Sequence, residues 1–120
     1  MASVDPTGQD LKRLLAEDDG QPIVMLNLLK FTQDGRASYE KYAGDIMPFL
    51  DRVSATVVYL GDASTSLVAP DTFDFDAVLL VRYPSRRAFC DMVADPEYQQ
   101  ITHLRTQALS SAVLQATTSW

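Results

Sequence analysis

The chain is short of the residues that most often carry chemistry: it has one cysteine and one histidine in 120 residues. Cys90 has no second thiol with which to form an intrachain disulfide, and His103 cannot assemble a zinc site unaided. Basic residues are also few, ten against sixteen acids, for a net charge of −6. That balance argues against nucleic-acid binding, which needs clustered Lys and Arg, and against an anionic membrane surface as partner. The longest apolar run, Ile23 to Leu29, is interrupted by Asn27 and falls far short of the roughly 20 residues that span a bilayer. The opening stretch MASVDPTGQDLKRLL lacks a basic start followed by an apolar segment, so no secretory signal is read and a soluble cytoplasmic protein is expected. Gly-x-Gly-x-x-Gly, P-loop, His-Glu-x-x-His and Gly-x-Ser-x-Gly signatures are missing. No cofactor and no metal are therefore expected.

What remains is architecture. A length of 120 residues suits one domain, and 47% hydrophobic with 22% charged residues is ordinary for a globular protein. Residues 1–20 read as an extension with a short helix, capped near Thr7 and Asp10 and stopped at Asp19-Gly20; residues 21–120 read as the domain. Ile23 to Phe31 reads as a buried strand, and Gln33-Asp34-Gly35 as a turn. Helical spacing then runs from Ser38, as N-cap, to Val53, with Pro48 expected to kink or shorten the helix. Strands follow at Thr56–Leu60 and Phe73–Tyr83, joined by an aperiodic connection. Ser85 caps a further helix, Asp95-Pro96 breaks it, another runs from Glu97 to Leu109, and Ala112–Thr118 is the last strand. After the leading helix the order is βαββαβ. That predicts an α+β, ferredoxin-like split βαβ fold: a four-stranded antiparallel sheet with helices on one face. The other face is left bare, and an apolar face of that size calls for a second copy, a ligand or both. A homodimer through the open sheet face is expected.

Three segments carry a resemblance. They are Val24–Phe31 (VMLNLLKF), Val78–Phe89 (VLLVRYPSRRAF), and Asp95–Tyr98 (DPEY) followed by Arg105 and Ala108-Leu109. Together they resemble the family called domain of unknown function 1330, which implies a dimeric α+β barrel. Fold relatives include small cofactor-free monooxygenases, muconolactone-type isomerases and dye-decolourising peroxidases, although fold by itself does not transfer chemistry. The chain departs from the family at Ser54-Ala55, where Gly-Gly is common, at Phe75, where Trp is frequent, and at Leu104, where His is frequent. His103 lies one residue away from that last position and inherits no role from it.

Two residues stand out as candidate catalytic groups. Asn27 is an amide in an apolar strand and must find partners or cost about 1–3 kcal/mol. By alternation it shares a face with Ile23, Met25, Leu29 and Phe31, and it is expected on the open side, holding a ligand or acting as a structural amide that ties the partner chain or a loop. Arg105 shares a helix face with Tyr98 and Thr102; it either clamps a substrate carboxylate or enolate or forms an ion pair. Phe31, Tyr42, Tyr59, Arg82 and Tyr98 are candidate substrate-binding residues, with plain core packing as the alternative for the aromatics. Lys30 is either an anion attractor or a solvated lysine, and Cys90 reads as an inert thiol. Two functions fit. One is a cofactor-independent monooxygenase-, isomerase- or cyclase-like enzyme acting on a small aromatic or lactone-like substrate. The other is a dimer that binds a metabolite or responds to stress without turnover.

Overall fold

The computed structural model describes residues 3–120. Its elements run α1 (Gly8–Ala16), β1 (Ile23–Phe31), α2 (Gly35–Asp45), α3 (Met47–Arg52), β2 (Thr56–Asp62), β3 (Ala77–Tyr83), α4 (Arg86–Ala94), α5 (Pro96–Gln99), α6 (Thr102–Ala108) and β4 (Leu109–Thr117). The strands form one antiparallel sheet in the order β2-β3-β1-β4, the ferredoxin-like arrangement read from the element order.

Local chemistry explains most boundaries. Thr7 and Asp10 close a reciprocal capping box at the start of α1. Ser85 Oγ accepts from the Ala88 amide at 3.1 Å, and Asp95 caps α5 with Pro96 in its first turn. Pro48 sits in the first turn of α3, and the predicted long helix is divided at Ile46. Ser38 is not a cap: α2 already starts at Gly35, and Ser38 Oγ donates to the Leu104 carbonyl at 2.7 Å, tying α2 to α6. β3 begins at Ala77 rather than Phe73, and the last predicted helix is split between α5 and α6.

One expectation is reversed. Along β1, burial alternates so that Ile23, Met25, Asn27 and Leu29 are buried while Val24, Leu26 and Leu28 are only partly covered. The helices therefore cover the Asn27 face, and the open face is the one carrying Val24, Leu26 and Leu28. Alternation alone defines two faces but not which one receives the helices. The core lies between that covered face and the helices, around Leu29 and Leu50, which are the most deeply buried large side chains. Val4, Leu11 and Leu14 from the leading segment pack against the same core. Among the described residues no helix is long and apolar enough to cross a membrane.

Candidate functional site

Between the covered sheet face and the helices lies a cavity of about 440 Å³, within the usual range for small-molecule sites. Its floor is the middle of the sheet. Asn27 on β1 is registered between Leu79 on β3 and Leu114 on β4, and all three border the cavity. The walls are aromatic and thioether: Tyr39 and Tyr42 from α2, Tyr83 at the end of β3, Phe89 and Met92 from α4 and Tyr98 from α5. Arg105 closes one end, together with Asp5 and Pro6 of the leading segment. A second, more polar hollow of about 540 Å³ lies against α1 and β4 and shares Asp5, Pro6, Met25, Phe89 and Leu114 with the first.

Asn27 Nδ2 donates to the carbonyls of Met25 and Leu79 at 3.4 and 3.3 Å. Both amide protons are thus spoken for, at the long end of hydrogen-bond range. Its Oδ1 is the group left for the cavity, so Asn27 is suited to accept from a ligand hydroxyl or N–H rather than to donate.

Arg105 is buried, with 7% of its side chain exposed. Its Nη1 donates to the Val4 carbonyl and to Asp5 Oδ1, the latter at 3.1 Å, and Asp5 is held in turn by Thr106 Oγ1 at 2.9 Å. Nη2 is buried without a hydrogen-bond partner among the described residues. A charged donor left in that state costs about 1–3 kcal/mol or more, which sequence spacing had no means of revealing.

The hydroxyls of Tyr42 and Tyr98 meet at 2.7 Å. Burial pushes both phenols above the ordinary tyrosine range; at Tyr98 the Tyr42 hydrogen bond and the Arg105 charge oppose that rise. Tyr39 is pushed up to about 12 by burial, and Tyr83 is raised by the same cause. All four stay neutral at physiological pH. They are hydrogen-bonding walls rather than bases.

Three predicted contacts lie elsewhere. A β-bulge between Val57 and Tyr59 reverses the phase of β2. Leu60 then pairs with Leu79 on the cavity side, whereas Tyr59 pairs with Leu80, whose neighbour on β1 is Leu26 of the open face. Tyr59 is 54% exposed, its phenol lying over Gly61 in the space a Cβ would fill. Arg82 pairs with Val24 and Thr56 and is exposed on the open face. Phe31 follows a register shift at the end of β1 and packs on Tyr39 at 5.7 Å, with the Arg36 guanidinium over its ring. Lys30 is held by Asp74 at 3.1 Å and Asp76 at 3.5 Å. Asp76 also accepts from the Phe31 amide, so it fastens the loop before β3. His103 is exposed on α6. Cys90 donates to the Leu11 carbonyl at 3.7 Å, and burial raises its thiol pKa, an unreactive setting.

Sequence reasoning missed Tyr39, Tyr83, Asp5 and Thr106. The first was accessible, since Tyr39 stands three residues before Tyr42 on one helix face. Tyr83 shares strand parity with Val81 and Leu79. The other two depend on a contact between residues about a hundred positions apart, which no local pattern announces. Among the described residues no three His, Cys, Asp or Glu side chains gather as a metal site.

The family model described as Domain of unknown function (DUF1330) matches residues 26–117. The chain belongs to that family. No curated protein matches it. Among solved structures, the DUF1330 chain is similar to the RPA0582 protein of unknown function from Rhodopseudomonas palustris, at 28% identity and a TM-score of 0.88 over 100% of this chain and 98% of that one. It is also similar to SnoaB, a cofactor-independent oxygenase from Streptomyces nogalater, at 14% identity and a TM-score of 0.59, covering 83% and 94%. A third similarity is to a hydroxynitrile lyase from Passiflora edulis, at 9% identity and a TM-score of 0.63, covering 82% and 93%. The last two likenesses establish shared fold: this DUF1330 protein has the α+β ferredoxin-like fold of the dimeric α+β barrels. The family match begins just inside β1, so the segment carrying Asp5 and α1 precedes it.

Proposed function

We propose that this DUF1330 protein is a homodimer that binds a small, flat, largely apolar molecule in the cavity under its helices and acts on it without a cofactor. The observation that carries the reading is the cavity itself: tyrosine, phenylalanine and methionine walls around a few polar side chains, among them the buried Asn27 and Arg105. Aromatic and thioether surfaces favour planar ligands, and a dry pocket strengthens every polar contact inside it. Arg105 would stabilise developing negative charge on an oxygen, Asn27 would accept a proton-bearing group, and the Tyr42–Tyr98 pair would orient the substrate. The oxygenase and the lyase that share the fold support, by analogy, oxygenation or an isomerase-like proton shift.

Dimerisation is supported by the bare sheet face. Val24, Leu26, Leu28, Val78, Leu80 and Val113 all lie on it, only partly covered, and Val58 at the sheet edge is 55% exposed. Sedimentation of the wild type and of Leu80→Glu tests this: a dimer for the first and a monomer for the second is expected, and a wild-type monomer would overturn it.

A second reading, a binder without turnover, is favoured by the cavity's lack of any group that ordinarily titrates near neutrality. Its charged lining residues are Asp5 and Arg105 alone. Thermal shifts against 2-naphthol, coumarin and menadione, followed by oxygen uptake and product analysis in air, separate the two. Binding with conversion supports the enzyme, binding without conversion supports the carrier, and no shift with any probe at millimolar concentration removes both.

A further inference from the structure

We propose that the ligand of this cavity is an organic monoanion, a planar aromatic carboxylate whose acid group is received by the Arg105 guanidinium. The inference rests on the small-molecule reading above and adds the charge of the ligand.

Arg105 Nη2 bears the one fully buried side-chain polar atom that lacks a hydrogen-bond partner among the described residues, and the residue borders the cavity. Its side chain is more than nine-tenths buried, so bulk water does little to solvate the charge. The compensation that exists is one-sided. Nη1 meets the Val4 carbonyl and one oxygen of Asp5, but Asp5 has 42% of its side chain exposed and shares its carboxylate with Thr106. Screening by water weakens that pair. Deeper in the cavity the lining carries no other formal charge, because the four tyrosines are neutral. Nη2 therefore lacks an acceptor among the described residues, and an ionised oxygen brought to the guanidinium is the strongest one a ligand could supply.

The charge of the ligand is limited from the other side. Arg105 already shares its charge with the half-exposed Asp5, so it can hold at most one further negative charge; a phosphate dianion would bring a second into walls of tyrosine, phenylalanine and methionine with nothing to pair it. A delocalised monoanion on an aromatic body satisfies both conditions. The ring stacks among Tyr39, Tyr42, Tyr83 and Phe89, and the acid group reaches Arg105. The sheet-side acceptor, Asn27 Oδ1, adds a preference for a ring hydroxyl away from the acid.

The test compares 2-naphthoate with 2-naphthamide, which share shape and differ in charge, by calorimetry on the full chain at pH 7. The acid is expected to bind at least about tenfold more tightly, the ratio that one charge-assisted hydrogen bond supplies. In Arg105→Gln that preference should fall to near unity, and in Arg105→Lys it should return in part. The wild-type comparison stands even if Arg105→Gln fails to fold. Equal affinity for acid and amide overturns the anion proposal and leaves the small-molecule reading intact. Binding of neither probe at millimolar concentration overturns both.

Discussion

The hydroxyls of Tyr42 and Tyr98 meet at 2.7 Å, joining α2 to α5 across the roof of the cavity. Each ring also packs into an aromatic chain: Tyr42 lies on Tyr39 at 5.4 Å, and Tyr98 meets Phe49 edge-on at 5.9 Å. Removing one hydroxyl strands the other in a buried setting. Tyr98→Phe is expected to cost about 1 kcal/mol, a fall of several degrees in Tm. The double change Tyr42→Phe/Tyr98→Phe should cost less than the sum of the single changes, because no orphan hydroxyl remains. Urea unfolding of the four proteins gives the coupling directly.

The tyrosines also set an alkaline limit. Their native pKa values are raised by burial, Tyr39 to about 12, whereas an unfolded tyrosine ionises near 10. The unfolded chain therefore gives up these protons first. The stability that depends on neutral phenols is complete below about pH 10 and is lost as pH climbs from there through about 12. Thermal melts from pH 8 to 12 should show a steepening fall in Tm above pH 10. Tyr39→Phe should flatten it; an unchanged profile in that variant would count against the assignment.

Asn27→Leu is expected to raise stability by about 1 kcal/mol and to weaken binding of hydroxylated aromatic probes. The amide has two long bonds to carbonyls and sits beside Leu79 and Leu114, a setting where leucine fits better than asparagine. A loss of stability with ligand binding unchanged would instead make the amide a structural tie.

Ser54 adopts φ of 59° after α3, the left-handed region that L side chains avoid. The side chain is exposed, so no packing compensates. Ser54→Gly should stabilise the protein by about 0.5–1 kcal/mol in the same unfolding assay. The strain gives a physical reason for the glycines that resemblance leads one to expect before β2.

Periodicity and end signals carried much of the fold into view. Ser85, Asp95-Pro96 and the Thr7–Asp10 box act where they stand, through bonds to amides two or three residues away. Pro48 marked the division of α2 from α3 for the same local reason. The site was legible only in part. Asn27 and Arg105 stood out as residue types against their surroundings, yet which sheet face receives the helices depends on tertiary packing, and so Asn27 faces the opposite side from the one expected. Tyr59 was hidden by the bulge at Val58, one unpaired residue that turns every later side chain of β2 over. Such a register defect leaves no mark in hydrophobic alternation short of the strand's own partners.

The contact between Asp5 and Arg105 joins residues a hundred positions apart. Closing a loop of that length costs chain entropy, and β1 pairs with β4 across nearly the same separation. During synthesis Asp5 is made well before α6, and it must wait for nearly the whole of the family-matched region to emerge. The arginine that lines the cavity therefore acquires its carboxylate partner only when both ends of the chain are in place.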